Sequence, residues 1–111
     1  MGKLDTEVTS ADKSTKNLIL VGGPAVNTLV KELGDAGKTK ARDWYVSQGA
    51  GTAIVDLVAD AFASGKSALV VAGYDAADTR AATSMLQNYD SYTWVGNTAV
   101  IKNGVISTTT A

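Results

Sequence analysis

Neither cysteine nor histidine occurs in the 111-residue chain. Their absence excludes disulfides, thiolate nucleophiles, imidazole bases and the usual zinc sites. Any catalysis would have to rest on carboxylates, Lys, Ser, Thr or Tyr. An excess of one charge is missing too. Lys plus Arg number 10 against 11 for Asp plus Glu, a formal net charge of −1, so no electrostatic case exists for nucleic acid or an anionic membrane as partner. Long apolar runs are absent, and stretches such as Ala68–Ala72 are far too short to span a bilayer. The first ten residues, MGKLDTEVTS, have no apolar core and read as no signal peptide, so a secreted parent would carry its signal outside this sequence. Lack of Cys leaves the compartment open, because a domain of this size folds without disulfides on either side of a membrane. What is present, 45% apolar residues, suffices for one core and one domain.

Three regions follow from the patterning. Residues 1–16 form a polar lead-in, with a weak alternation at Leu4-Asp5-Thr6-Glu7-Val8 that fits an edge strand or a linker. Residues 17–95 read as an α/β domain, and residues 96–111 as its C-terminal hairpin and tail. Leu18-Ile19-Leu20-Val21 is a continuous aliphatic run, the pattern of a strand buried on both faces of a parallel sheet. The only proline, Pro24, suits a first helical turn, and Val26, Leu29, Val30 and Leu33 keep helical spacing up to Gly34 and Gly37. The segment 35–51 is polar, with Trp44-Tyr45-Val46 fitting a short strand or a loop anchor. Ile54, Leu57, Val58, Ala61 and Phe62 repeat the helical period, with Thr52 as N-cap and Gly65 as stop. Ala68–Gly73 is a second buried strand. Asp75 caps a further helix that runs to about Asn88, with Asp78 in its first turn. Tyr92–Val95 reads as a strand, and Asn103-Gly104 between Ala99–Lys102 and Val105–Thr108 is a strong hairpin signal. The order predicts a small Rossmann-like or flavodoxin-like parallel sheet flanked by helices, closed by a C-terminal β-hairpin.

Two segments could carry chemistry. Val21-Gly22-Gly23-Pro24 runs from a strand into a helix start, where free N–H groups hold an anion. It lacks GxGxxG and the Lys and Ser/Thr of a P-loop, and it reads first as a tight turn. Gly73-Tyr74-Asp75-Ala76-Ala77-Asp78-Thr79-Arg80 would lie at the same carboxyl edge of a parallel sheet, where open α/β sheets bind ligands. The candidate crevice therefore comprises Gly22, Gly23, Gly73, Asp75, Asp78 and Arg80. Its plainer reading is helix capping with a local Asp–Arg pair. Trp44, Tyr45, Tyr89, Tyr92 and Trp94 could stack on a carbohydrate or a protein, but more often such residues plug core edges. Asp56 and Asp60 read as a solvated helix face. No catalytic residue, metal cluster or cofactor is expected. Asn27-Thr28-Leu29 and Asn97-Thr98-Ala99 both fail the glycosylation sequon at its third position.

LDTEVTSADKSTKNLILVGGPAVNTLVKEL followed by GKSALVVAGYDAADTRAATSML closely resembles the α/β domain of archaeal surface-layer (S-layer) proteins. The resemblance runs from near Lys3 to about Asp90. Its most specific parts are Lys16–Ile19 leading into Val21-Gly22-Gly23-Pro24, then Val26-Asn27, and Val71-Ala72-Gly73 with Asp78-Thr79-Arg80-Ala81-Ala82. More distantly, the VGGP element is similar to that of bacterial cell-wall-binding repeats. The resemblance implies a secreted, non-catalytic protein of the cell envelope whose subunits associate into a two-dimensional lattice. No catalytic residues belong to the family's pattern, and none are carried over. The alternative left open is a binding module for a cell-surface polymer or small anion at the carboxyl edge of the sheet.

Overall fold

Thr52–Ala63 is a twelve-residue strand, and the helix expected there does not form. In this computed structural model, which describes residues 7–89 and 98–107, the order is α1 (Ser10–Thr15), β1 (Leu18–Val21), α2 (Thr28–Asp35), α3 (Arg42–Gln48), β2 (Thr52–Ala63), β3 (Lys66–Gly73), α4 (Ala76–Gln87), β4 (Thr98–Lys102) and β5 (Val105–Ser107). The misleading period in β2 has a physical origin. Ile54 and Val58 share a face by strand alternation. The register then shifts between Val58 and Ala63, around Asp60 at a φ of 51°. That bulge reverses the parity, so Ala61 joins Ile54 and Val58 in one cluster. Positions 54, 58 and 61 thus imitate a helical stripe. The β-branched Thr52, Ile54, Val55 and Val58 favour the strand locally, and pairing on both sides makes it central.

The five strands form one sheet in the order β1-β3-β2-β4-β5. Only β1 and β3 pair in parallel. The β2–β3, β2–β4 and β4–β5 pairs are antiparallel. The fold is therefore α/β with a mixed sheet, and the Rossmann-like or flavodoxin-like parallel arrangement is not found. A tight turn at Ser64-Gly65 makes β2 and β3 a hairpin where a crossover was expected. The Asp60 carboxylate accepts from Gly65 N at 2.7 Å, while Lys38 Nζ donates to the carbonyls of Asp60 and Ala61 at 3.0 and 2.9 Å. These contacts satisfy the bulged backbone.

Helices cover both faces. Leu29, Val30 and Leu33 of α2 and Tyr45 of α3 pack with Leu20, Ile54, Val58 and Val70. On the other side, Ala82 and Met85 of α4 pack with Ala53, Val55, Val71, Ala99 and Ile101. β1 lies at the sheet edge. Its Leu20 is buried, but Ile19 and Val21 are 70% and 51% exposed, so the expectation of burial on both faces fails.

Other boundaries also moved. Within the lead-in, Thr9 and Asp12 exchange capping-box hydrogen bonds at 3.1 Å and start α1. Most of the proposed Leu4–Val8 strand lies outside the described residues, as does Tyr92–Val95. Trp44-Tyr45-Val46 sits within helix α3, neither strand nor loop. Helix α2 starts at Thr28 rather than Pro24, because Asn27 supplies the cap. Its Oδ1 accepts from Leu29 N and Val30 N at 3.0 and 3.2 Å, and its Nδ2 donates to Val21 O at 3.2 Å. Asn27→Ala is expected to destabilise the domain by about 1–2 kcal/mol, measured by urea denaturation. A change below about 0.3 kcal/mol would show that water replaces the cap. The capped helix α4 and the Asn103-Gly104 hairpin stand where the sequence put them, both turn residues having positive φ.

Candidate functional site

The turn after β1 and the start of α4 meet at one end of the sheet because two glycines permit it. A Cβ on Gly23 would lie 2.9 Å from the carbonyl oxygen of Gly73, and one on Gly73 would lie 2.5 Å from Thr79 N. Gly22 donates to Val71 O at 2.8 Å, which ties the turn to β3. Beside this junction is an open crevice of about 510 Å³. Its rim carries Gly22, Gly23, Gly73, Asp75 and Arg80 from the expected set. Asp78 does not line it. The Asp78 carboxylate faces the other way and accepts from Gly51 N at 3.0 Å, fastening the entry to β2 onto α4. Asp75 spends one oxygen on the cap, accepting from Asp78 N at 2.9 Å. The local Asp–Arg pair is not formed: among the described residues, Arg80 makes no ion pair with either acid.

Sequence reasoning missed the third wall. Arg42, Tyr45 and Val46 of α3 line the crevice, opposite Pro24, Val26 and Tyr74. Segment 35–51 gave no periodic signal strong enough to place them, since α3 spans only seven residues and its N-cap Ala41 makes no side-chain cap bond. The result is a mostly apolar recess with two exposed arginines. Like Arg80, Arg42 has no carboxylate partner among the described residues. Such a recess can hold an apolar body bearing an anionic group.

A second polar feature lies between α2, β2 and β4. Asp56, expected on a solvated face, is buried. Its carboxylate accepts from Thr39 Oγ1 at 2.7 Å and Thr98 Oγ1 at 2.8 Å. These bonds tie the segment after α2 to two strands, next to a recess of about 230 Å³ flanked by Lys38 and Lys40. Asp60 remains outside, on the bulge. Of the aromatic set, Trp44 and Tyr45 meet edge to face at 5.1 Å, Tyr45 is buried and Tyr89 is exposed. Tyr92 and Trp94 lie outside the described residues. No group of three or more carboxylates is placed to hold a metal ion among the described residues. No helix there is long and apolar enough to cross a membrane.

The Tyr45 hydroxyl is buried without a hydrogen-bond partner. Burial first, and the negative charge of Asp56 second, hold its pKa well above the ordinary tyrosine value. The unfolded chain releases this proton near pH ~10, whereas the fold retains it. Stability linked to Tyr45 is thus complete below about pH 10 and declines as pH rises above it. Alkaline denaturation is expected to show a steeper loss above about pH 10 in the wild type than in Tyr45→Phe. At neutral pH, Tyr45→Phe is expected to match or exceed wild-type stability, by up to about 1 kcal/mol, because the hydroxyl satisfies no partner. Parallel pH curves for the two proteins would contradict this account.

Comparison with known proteins places this geometry. The model of the S-layer like family, outer domain, matches residues 1–89. The chain belongs to that family. An S-layer protein of Methanocaldococcus jannaschii is 46% identical over 89 residues, which is 79% of this chain and 14% of the relative. S-layer proteins of Methanothermococcus thermolithotrophicus and Methanococcus voltae are 48% and 51% identical over 86 and 83 residues, covering 78% and 75% of this chain and 14% and 13% of theirs. The chain therefore spans about a seventh of the length of these relatives. The matched region holds all three walls of the S-layer domain's crevice, from Gly22 through α3 to Arg80, whereas the C-terminal hairpin lies beyond residue 89.

Proposed function

We propose that this S-layer domain is a structural, non-catalytic module of an archaeal cell-surface layer, outside the cell, that contributes contacts between subunits of a two-dimensional lattice. Membership of the S-layer like family over residues 1–89 carries this reading. The composition is in keeping with it, since no His or Cys occurs in the chain. The test is to express the parent S-layer protein with and without residues 7–107 and image the cell envelope. Loss of lattice order on deletion is the expected result. An unchanged lattice would overturn the assembly role.

A second reading is favoured by one observation, that Arg42 and Arg80 on a mostly apolar crevice have no ion-pair partner among the described residues. In it the domain binds an anionic group, free or carried on a surface polymer, at the end of the sheet where β1 and β3 stop. Titration with phosphate and acetate, followed through the amides of Gly22, Gly23 and Gly73, tests this, and unmoved resonances would count against it.

A further inference from the structure

The outer edge of β1 faces away from β3. Among the described residues no strand pairs with it. Since Gly22 N points at Val71 O, strand alternation turns the N–H and C=O of Ile19 and the N–H of Val21 away from β3. The next outward carbonyl, that of Val21, is already capped by Asn27. This edge ends next to Gly22, which lines the crevice. Exposed apolar side chains occur both on β1 and at the crevice. Ile19 and Val21 on the strand, then Val26, Val46 and Tyr74 at the crevice, make up five of the eight large exposed hydrophobics among the described residues. Nothing in the edge carries the Lys or Pro that commonly blocks strand addition. Arg42 and Arg80 also line the crevice, each without an acid partner among the described residues.

We infer that the edge of β1 and the crevice form one docking surface for an extended, acid-bearing segment of a neighbouring S-layer subunit. The segment adds as a strand beside Ile19 and Val21 and sets a carboxylate against Arg42 and Arg80. Backbone complementarity selects an extended chain, and the two arginines select its charge. The short edge gives few hydrogen bonds, so a single contact is weak, and repetition across a lattice supplies the avidity. This inference rests on the S-layer reading above.

The test titrates the nitrogen-15-labelled domain with three probes. These are a blocked hexapeptide of alternating threonine and valine with glutamate at its fifth position, the same peptide with glutamine there, and glucuronate. The glutamate peptide is expected to shift the amides of Ile19, Gly22, Gly23 and Gly73 saturably. The glutamine peptide is expected to bind about fivefold more weakly, and the double variant Arg42→Gln/Arg80→Gln to erase that difference. Equal binding of the two peptides, no shift at millimolar peptide, or a response to glucuronate alone would each overturn the inference. Imaging separates it from the reading it rests on: a lattice that needs the domain while the peptides stay silent removes only the inference. Peptide binding with an unchanged lattice after deletion removes only the assembly role.

Discussion

Gly73→Ala is expected to lower the thermal midpoint of this domain by about 10–20 °C, through a loss of about 3 kcal/mol. The reason is close approach and not backbone strain, since Gly73 has no positive φ. A Cβ there would sit 2.5 Å from Thr79 N and 2.7 Å from the backbone carbon and the Cβ of Asp78. Those atoms belong to the first turn of α4, which is fixed by the Asp75 cap and by the Asp78 bond to Gly51. No flexible side-chain tip can move aside, so either α4 lifts from β3 or the end of β3 bends. Each would open the junction that holds the crevice walls together. Circular dichroism melts measure the effect directly. A midpoint within about 3 °C of wild type would mean that α4 slides without cost.

Ile54→Ala is expected to cost about 3–4 kcal/mol in urea denaturation, while Ile19→Ala costs less than about 0.5 kcal/mol. The side chains are the same and the surroundings are opposite. Ile54 is fully buried at the centre of β2, between β3 and β4 and beneath the α2 and α3 layer. Truncation leaves a cavity that a central strand, paired on both sides, cannot close. Ile19 stands on the edge strand at 70% exposure, so little of its surface returns to water. Comparable losses at the two positions would mean that the edge of β1 is covered in solution. That outcome would bear on the docking surface as much as on the core.

Local chemistry was legible wherever a residue acts on its own neighbours. Asp75 at a helix start, Asn103-Gly104 between two apolar runs, and Gly22-Gly23 after β1 announced a cap, a hairpin and a tight turn. Five of the six crevice residues named from those signals do line one recess. Asp78 does not, because its carboxylate finds Gly51, 27 positions away, and no local pattern encodes that distance. Arg42 and Tyr45 were hidden for a similar reason. They reach the crevice only because α3 packs on the sheet, where Tyr45 joins Leu20, Ile54 and Val70 in one cluster.

By itself, the sequence determined the α/β class, the lack of thiol and imidazole chemistry, the hairpin, the capped last helix and the family. Tertiary structure decided the direction of the strands and the identity of β2. An apolar spacing of four and three residues fits a helix stripe, and it equally fits a strand whose parity a bulge reverses at Asp60. Only pairing with β3 and β4 distinguishes the two. That pairing made β2 central, turned an expected parallel sheet into a mixed one, and buried Asp56. It also left β1 at the edge, so that an aliphatic run with every mark of an interior strand exposes Ile19 and Val21 and, among the described residues, pairs on one side only.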